Sequence, residues 1–402
     1  MAQPQSSATR QIGAPRDTYW KPVISLAGLL GLRMLGLFMV LPVLALHVGE
    51  MPGATPLAAG LALGIYGLTQ GLLQLPFGRW SDGLGRRPVI FIGLVIFAAG
   101  SALAAVATTP WLLILGRALQ GAGAISAATM ALVSDIVPLA RRTRAMAVIG
   151  IAIGGAFMLA FAAGPMLAAW MGVPGLFWLS CAFAVLGMLL LVAMPPPPAM
   201  VTGNPPPLRE VFPRVRRQAA GVFLLHAMMT ATFLAVPPML ADTFALPQSS
   251  HGWVYLPVMA ASLLLLAPLV LLHERRSMRL AMHAAVAALL LGQAALLFAG
   301  SLTMLCGALW LFFGGFNFME ARLPASVSES ISAEARGAGM GIYATAQFLG
   351  AFAGGVIGGA LASAWGIQGV LAGNVLLAAA WWLMLSLTGS LPGSGKQEVH
   401  IE

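Results

Sequence analysis

Ionisable side chains lie inside long apolar stretches of the sequence, where charge is rare. The four clear cases are Arg33, Arg117, His226 and Glu320. A charge at the bilayer centre costs at least about 2.5–3.5 kcal/mol on insertion scales, so such a residue normally faces a cavity or a partner. Histidine titrates near neutral pH and a partly desolvated carboxylate can take up a proton, whereas arginine stays charged. His226 and Glu320 are therefore candidates for proton transfer.

The composition places these residues in a membrane protein. Of 402 residues, 59% are hydrophobic and 8% are charged, against about 25% charged residues in soluble domains. This excludes a soluble enzyme, a disordered chain and a nucleic-acid binder. The apolar runs are continuous rather than alternating, which predicts an all-α polytopic membrane protein instead of a β-barrel. No cofactor is predicted, and Cys181 and Cys306 have no metal-site spacing.

Twelve apolar stretches are the elements that must position these side chains, each near the roughly 20 residues that span a bilayer. They lie near 21–47, 55–77, 88–107, 111–134, 145–170, 174–194, 218–241, 252–272, 280–299, 303–323, 338–364 and 367–390. Apart from Arg33 and Arg117, every Lys and Arg lies in the tails, the even-numbered loops or the central linker. The positive-inside rule then predicts a multi-pass protein of the cell inner membrane with both termini cytoplasmic.

The sequence also predicts a duplicated unit. Pro76 and Pro268 are separated by the same number of positions as Asp82 and Glu274, and Arg144 and Arg336 share that offset. Repeats of this kind occur in transporters. The predicted organisation is a cytoplasmic tail (1–20), a six-helix bundle (21–194), a stiff Pro/Arg-rich linker (195–217), a second six-helix bundle (218–390) and a cytoplasmic tail (391–402).

The loop between spans 2 and 3 carries a specific pattern, GRWSDGLGRRPV. It resembles the loop 2–3 motif of the major facilitator superfamily, G-x-x-x-D-x-x-G-R-K/R, at Gly78, Asp82, Gly85, Arg86 and Arg87. The glycines permit a tight connection between antiparallel helices.

The resemblance implies a conformational latch at the cytoplasmic face. Asp82 is expected to approach the start of span 11, near residues 336–341, where the positive end of a helix favours a carboxylate. Arg86 is expected to pair with Asp135 at the end of span 4. Together these contacts would hold the two halves closed on the inner side.

Two further motifs support the resemblance. LGRALQGAGA in span 4, with Arg117 and Gln120, is similar to the superfamily's R-x-x-Q-G motif. AFAAGPMLAA in span 5 partly matches a drug/proton antiporter motif at Gly164 and Pro165, which would bend the helix and allow close packing. Spans 1, 2, 10 and 11 closely resemble the bacterial YajR group of efflux transporters. The implied fold is twelve transmembrane helices in two six-helix repeats.

In that fold, spans 1, 4, 7 and 10 line a central cavity, and each carries one of the four ionisable residues. The implied coupling site is Glu320 with His226, with Asp135 as the next candidate. An alternative is that Glu320 is an interfacial residue paired with Arg322. The candidate cavity residues are Arg33, Phe38, Tyr66, Gln70, Arg117, Gln120, Phe157, Phe161, Phe233, Phe316, Asn317, Tyr343 and Gln347.

The predicted function is secondary active transport. We expect a monomer in the lipid bilayer that exports a small amphiphilic molecule in exchange for protons by alternating access. The alternative is a proton-coupled symporter that imports a small organic anion, which Arg33 and Arg117 would bind. A nucleotide-driven pump would need a G-x-x-x-x-G-K-[ST] motif, which the sequence lacks. A membrane enzyme would need a nucleophile–base pair or a metal cluster, and no span or loop offers one.

Overall fold

The computed structural model describes residues 19–138, 141–194, 207–332 and 335–388. These residues form thirteen α-helices, connected by short turns. The helices are α1 (Trp20–Met39), α2 (Leu41–Gly49), α3 (Pro56–Gly83), α4 (Arg86–Ala105), α5 (Pro110–Ala122), α6 (Ser126–Ile136), α7 (Arg142–Ala193), α8 (Leu208–Pro238), α9 (His251–Ser262), α10 (Leu266–Arg275), α11 (Met278–Leu297), α12 (Leu302–Ser330) and α13 (Arg336–Thr388).

Ten continuous helical segments within the described residues are long and apolar enough to cross a membrane. Two of them, Arg144–Ala193 and Arg336–Leu387, are 50 and 52 residues long. At 1.5 Å per residue each would reach about 75 Å, far beyond a bilayer core of about 30 Å. Each contains a glycine with positive φ, Gly172 at 71° in α7 and Gly366 at 64° in α13.

The chain reverses direction at Gly172, and the two parts of α7, before and after this glycine, both pack on α1. Before the glycine, α7 runs parallel to α1, and after it the direction is opposite. The close contacts are Gly31 with Ala152, Met39 with Gly164, Gly36 with Ser180 and Gly28 with Leu190.

The second half repeats this arrangement, with α13 reversing at Gly366 and packing on α8. The close contacts are Gly350 with Phe223, Gly354 with Ala227, Gly358 with Ala231, Asn374 with Met228 and Trp381 with Gly221. When each reversed helix is counted as two spans, the described residues contain twelve spans. The predicted all-α fold of twelve transmembrane helices is confirmed.

One predicted span differs from the structure in a way that matters for the site. The stretch 111–134 is two helices, α5 and α6, separated by residues 123–125. Gly123 has φ −75° and ψ 56°, and the Ala124 N–H donates to the Ala122 carbonyl at 2.9 Å, as in an inverse γ-turn. The Gly123 carbonyl accepts from the Ile125 N–H at 2.9 Å, and its second lone pair can accept from a side chain.

The predicted linker also ends earlier than expected. Residues 208–217 are helical and form the start of α8, so this part is not extended. Val211 and Val215 are buried one turn apart, and Gln218 donates to the Ser330 hydroxyl at 2.9 Å. Residues 195–206 of the linker, residues 1–18 and the tail 391–402 lie outside the described residues.

A glycine-rich seam joins the two halves along α3 and the first part of α13. Gly60 and Gly64 contact the backbone at Gly355 and Phe352 so closely that a Cβ at either glycine would clash with it. Gly67 meets the Phe348 carbonyl in the same way. Absence of side chains lets the two helix backbones touch, as in other tightly packed membrane helices.

Candidate functional site

Arg33 of α1 is the first centre of a buried polar cluster in the N-terminal half. Its side chain is only 1% exposed. The guanidinium donates to the Gln70 Oε1 and to the Gly123 carbonyl, both at 2.8 Å. The break between α5 and α6 supplies the second acceptor, because the Gly123 carbonyl accepts from both the Ile125 N–H and Arg33.

Arg117 of α5 is the second centre. Its Nε donates to the Ala62 carbonyl at 3.2 Å, and its NH1 donates to Gln120 at 2.9 Å. The Gln120 amide donates in turn to the Ser101 hydroxyl at 2.7 Å. The Tyr66 ring lies between the two arginines, with its centroid 5.2 Å from the Arg117 Cζ and 6.0 Å from the Arg33 Cζ.

This cluster corrects part of the predicted cavity. Arg33 and Arg117 are engaged within the N-terminal half and do not line an open crevice in this conformation. Their amide partners, Gln70 and Gln120, are fully buried, as is Tyr66. The physical reason is that a desolvated guanidinium needs fixed acceptors, and main-chain carbonyls and amides provide them here.

A second polar cluster lies in the C-terminal half, on three helices. The Gln347 amide of α13 lies 2.9 Å from the His226 Nε2 and donates to the Glu320 Oε1 at 3.1 Å. The His226 Nε2 and the Glu320 Oε2 are 3.8 Å apart. The structure thus brings together both residues that the sequence selects for proton coupling, with Gln347 as a bridge between them.

The hydrogen bonds define the charge state that this cluster accommodates. His226 Nδ1 lies 3.2 Å from the Val222 carbonyl, a contact that is a hydrogen bond when Nδ1 carries the proton. In that tautomer Nε2 accepts from the Gln347 amide, so the contacts suit a neutral imidazole. Two buried oxygens of this cluster have no hydrogen-bond partner, the Glu320 Oε2 and the Tyr343 hydroxyl.

The structure does not contain the alternative pairing, in which Glu320 would bind Arg322. Arg322 forms a bidentate ion pair with Glu329, at 2.6 Å for both bonds, instead of pairing with Glu320. Glu320 therefore remains 38% exposed beside the cluster. Asn317, predicted to line the cavity, donates to the Ser262 hydroxyl at 2.9 Å and ties α12 to α9.

The predicted aromatic residues form one continuous series of rings between the halves. Phe38 contacts Phe157, which contacts Phe161, and Phe161 contacts Phe233, with centroid distances of 4.8, 4.6 and 4.5 Å. The Phe157 ring is also parallel to the Phe316 ring at 6.5 Å. Phe316 lies 5.6 Å from the His226 ring, so the series ends at the titratable cluster.

The crevice between the halves is closed at the end opposite the arginine-rich loops. There Phe161 packs against Tyr255, and Gly252 touches the Ala162 carbonyl so closely that a Cβ would clash. Toward the arginine-rich loops, the face of α7 that carries Phe157 continues with Gly154 and Gly150. Nothing lies within 4 Å of a Cβ built at either glycine.

Glu320 borders this open part of the crevice. It follows Phe316 by one turn of α12, just as Gly154 lies about one turn from Phe157 on α7. Because the two phenylalanine rings face each other, Glu320 and Gly154 lie at the same level on opposite sides of the crevice.

The loop 2–3 motif forms part of the expected latch. The Arg86 Nε donates to Asp135 at 3.0 Å, and NH1 donates to the Ser81 hydroxyl at 2.7 Å and to Asp82. Arg87 donates to the Met194 carbonyl at 2.8 Å and so caps the end of α7. Gly85 has φ 96°, which the turn between α3 and α4 requires.

The expected contact of Asp82 with the start of span 11 is absent. In the part of the chain that the structure describes, Asp82 has no hydrogen bond or ion pair with residues 336–341. Its side chain is 50% exposed and pairs with Arg86 on the next turn. The reason is the open crevice at this end, which leaves the carboxylate without a partner from the other half.

Gly164 and Pro165 have a packing role in this conformation. A Cβ at Gly164 would clash with the Met39 carbonyl, so the glycine allows α7 to lie directly on α1. A Cβ added at Gly78, in the loop 2–3 motif, would lie 3.5 Å from the Ala127 Cβ, an ordinary van der Waals contact, so packing there does not require a glycine. The helix continues past Pro165, and the reversal occurs seven residues later at Gly172.

Comparison with known proteins assigns a family. The family model described as Major Facilitator Superfamily matches residues 26–220 and 219–400. The inner membrane transport protein YajR of Escherichia coli is 39% identical over 382 residues, which cover 92% of this chain and 84% of that protein. The multidrug resistance protein MdtH of Cronobacter sakazakii is 28% identical over 394 residues, 91% of this chain and 95% of that protein.

The fold is also similar to that of solved structures. A bacterial homologue of the human lysosomal transporter Spinster, crystallised in an inward-facing and occupied conformation, superposes with a TM-score of 0.79. The superposition covers 96% of this chain and 100% of that chain, at 14% identity.

Proposed function

The chain belongs to the Major Facilitator Superfamily, and we propose that it couples export of a small amphiphilic molecule to proton entry. As a member of this family it is a multi-pass membrane transporter rather than an enzyme, and it binds a small molecule within the membrane. The observation that supports proton coupling is the cluster of His226, Gln347 and Glu320 at the wall of the crevice. Its titratable groups lie on α8 and α12, in the C-terminal half.

Glu320 is the proton carrier in this proposal. Its Oε1 accepts from Gln347, while its Oε2 has no partner. A proton on Oε2 breaks no hydrogen bond, because Oε1 remains an acceptor. A proton on the His226 Nε2 would instead oppose the Gln347 N–H, which donates to that nitrogen. His226 and Gln347 are therefore positioning residues that direct the proton to Glu320.

Access to the cluster alternates between the two sides of the membrane. By the positive-inside rule the arginine-rich end is cytoplasmic, so the conformation described is open to the inside. Proton release to the cytoplasm and substrate loading both occur in this state. Closure at this end would bring Asp82 to the start of α13, and the aromatic contacts at the opposite end would separate.

Asp135, the next coupling candidate, is better explained as a structural residue. Its carboxylate is bound to the Arg86 guanidinium at 3.0 Å, away from Glu320. We further propose that the transporter acts as a monomer in the inner membrane. Residues 21–194 and 218–390 would then move as two six-helix bundles about the linker.

Import of an organic anion is the weaker alternative. It rests on Arg33 and Arg117 as anion ligands, yet each is buried and already bonded to carbonyl and amide acceptors. An anion would have to replace these bonds.

The test is transport by the purified protein in proteoliposomes with an imposed pH gradient. Wild-type protein should drive proton movement opposite to a transported compound, in a panel of cationic, neutral and anionic molecules. Glu320→Gln should abolish accumulation driven by the gradient while downhill exchange of the same compound persists.

Glu274→Gln is the matched control, because Glu274 is exposed in the last turn of α10. It should behave like wild type. Full gradient-driven transport by Glu320→Gln, or co-directional movement of proton and substrate, would contradict the proposal.

A further inference from the structure

We propose that a corner of the C-terminal half binds the phosphate group of an anionic phospholipid. The corner is formed by Arg279 and His283 at the start of α11 and by Trp382 and Ser386 near the end of α13. By the positive-inside rule it lies at the cytoplasmic end, and none of the residues assigned to the crevice belongs to it. The inference therefore goes beyond the proposed function and does not depend on the substrate.

The internal repeat relates this corner to one in the N-terminal half. The offset of the repeat relates Arg87 to Arg279 and Met194 to Ser386. In each half the arginine lies at the start of a helix, α4 or α11, and donates to a carbonyl near the end of the long reversed helix. The distances are 2.8 Å from Arg87 to Met194 and 3.3 Å from Arg279 to Ser386. Both arginines thus cap the last turn of a span.

The two arginines differ in how many of their N–H groups the protein occupies. Arg87 also donates to the Leu191 and Val192 carbonyls. Among the described residues, the Ser386 carbonyl is the single hydrogen-bond acceptor of Arg279, which is exposed and forms no ion pair. A guanidinium has five N–H donors in a fork that fits a phosphate. Arg279 therefore keeps donors for an anion, whereas Arg87 has fewer to offer.

A second basic group is present in this corner and absent from its counterpart. His283 lies one turn after Arg279 on the same face of α11, where the repeat has Phe91 in the N-terminal half. Its Nδ1 lies 2.7 Å from the Arg279 carbonyl, and its Nε2 lies 3.4 Å from the Ser386 hydroxyl. That hydroxyl donates its own proton to the Trp382 carbonyl at 2.9 Å. Both ring nitrogens thus face acceptors, which suits a positively charged imidazolium.

The surface around these charges is apolar and exposed. Trp382 is 41% exposed, and its ring lies at 80° to the His283 ring with the centroids 6.1 Å apart. Leu280 and Leu383 are exposed by 47% and 54%. Tryptophan is enriched at the membrane–water interface. The corner therefore presents cations at the level of the lipid headgroups, next to apolar side chains that acyl chains can contact.

Charge and position favour a lipid over a soluble anion. Anionic phospholipids of the inner leaflet attract basic side chains near the membrane surface. Within the described residues no carboxylate pairs with Arg279 or His283, so the charge of the corner is uncompensated. A phospholipid would use both parts of the corner, with its phosphate on Arg279 and beside His283 and its acyl chains along the leucines. A soluble phosphate would use the charges alone.

Native mass spectrometry of the purified, delipidated full-length protein tests the corner with two phospholipids of identical acyl chains. The first phosphatidylglycerol should bind wild type at least about fivefold more tightly than the first phosphatidylcholine. Arg279→Gln and His283→Gln should each reduce phosphatidylglycerol affinity by about fivefold, the contribution of one basic residue at an anionic surface. Phosphatidylcholine affinity and thermal unfolding should stay those of wild type. Arg279→Lys keeps the charge and should retain most of the preference for phosphatidylglycerol.

Arg214→Gln is the matched control, because it removes an exposed arginine from the start of α8, on the same side of the membrane. It should leave phosphatidylglycerol affinity unchanged. Equal affinity of wild type for the two lipids, an equal loss in Arg214→Gln, or full phosphatidylglycerol affinity in Arg279→Gln would overturn the site. Glycerol phosphate at millimolar concentration should not displace the lipid. Displacement would assign the corner to a soluble phosphate and overturn the lipid.

Discussion

The two halves of the molecule differ in the kind of ionisable side chain that they bury. In the N-terminal half, Arg33 and Arg117 stay charged and donate to carbonyl and amide oxygens. In the C-terminal half, His226 and Glu320 can both change protonation state. Each cluster has buried polar atoms without a hydrogen-bond partner, the Arg33 Nε in the first and the Glu320 Oε2 and Tyr343 hydroxyl in the second. The halves therefore differ in whether the buried charge can change.

The difference arises from chemistry at corresponding positions of the repeat. Arg33 and His226 lie on the first span of their halves, at nearly matching positions. Arginine offers five donors and no acceptor, so it orders the acceptors around it. Histidine can donate and accept, which allows its hydrogen bonds to depend on the proton.

The largest expected effect is on stability in the N-terminal half. Arg33→Met removes two hydrogen bonds from a charged donor, to the Gln70 Oε1 and to the Gly123 carbonyl, each worth about 1.5–3 kcal/mol. The two acceptors then keep only the Tyr66 hydroxyl at 3.4 Å and the Ile125 N–H at 2.9 Å. Thermal unfolding in detergent should show the loss, while the pH dependence of any remaining transport stays that of wild type.

Arg79→Met, at an exposed position near the end of α3, should be neutral and serves as the control. If the Arg33→Met protein is stable but its transport no longer depends on pH, the proton-binding group lies in the N-terminal half. That result would contradict the proposed role of Glu320.

Gln347→Leu addresses the bridge of the second cluster. The variant removes the donor to both His226 and Glu320, so gradient-driven transport should fall by about tenfold, while stability changes by about 1 kcal/mol. The neutral Nδ1–H tautomer of His226 should no longer dominate in ¹⁵N NMR spectra at neutral pH. An unchanged histidine spectrum would show that Gln347 does not determine where the proton binds.

Tyr343→Phe contrasts with Arg33→Met, because the Tyr343 hydroxyl has no partner to lose. Unfolding should change by about 0.5 kcal/mol or less, since the ring and its packing remain. A stability loss as large as that of Arg33→Met would mean that the Tyr343 hydroxyl is hydrogen-bonded in the folded protein.

Asp82→Asn should have the smallest effect on stability. An exposed ion pair contributes about 0–1 kcal/mol, and Asp135 still holds Arg86 after the change. The variant should nevertheless shift the population toward the inward-open state, because the closed latch requires the carboxylate.

Spin labels at Gly83→Cys and Gly337→Cys, in a background without Cys181 and Cys306, would measure this shift. Both positions are free of neighbours within 4 Å. Unchanged distance distributions would count against the latch.

The sequence predicts the spans well because the bilayer imposes their length and polarity. It cannot predict the break at Gly123, since the neighbouring residues Ala122, Ala124 and Ile125 are all compatible with a continuous helix. The carbonyl at the break accepts from Arg33, which is distant in sequence. The sequence therefore predicts that Arg33 and Arg117 lie within the membrane, but the acceptors that bind them depend on the packing of the helices.

The titratable cluster shows a similar limit. His226 and Glu320 can be selected as rare ionisable residues in apolar spans, and Gln347 as a polar residue in span 11. Their meeting depends on the rotation of three helices about their axes, which weak amphipathicity within a membrane does not fix. Glu329, near the end of α12, illustrates the same point. Because Glu329 pairs with Arg322, Glu320 has no ion pair with that arginine.

The reversals at Gly172 and Gly366 have a consequence for how the protein is made. One residue, Gly172, connects the two spans of α7, and two residues, Trp365 and Gly366, connect those of α13. The ribosome therefore delivers about 50 largely apolar residues with no hydrophilic segment to carry across the membrane. Each pair can enter the lipid together as a hairpin, oriented by the arginines at its start, Arg142 and Arg144 for α7 and Arg336 for α13. Lengthening either turn with charged residues should therefore impair biosynthesis before it impairs the finished protein, and pulse-labelled integration into membrane vesicles would reveal it.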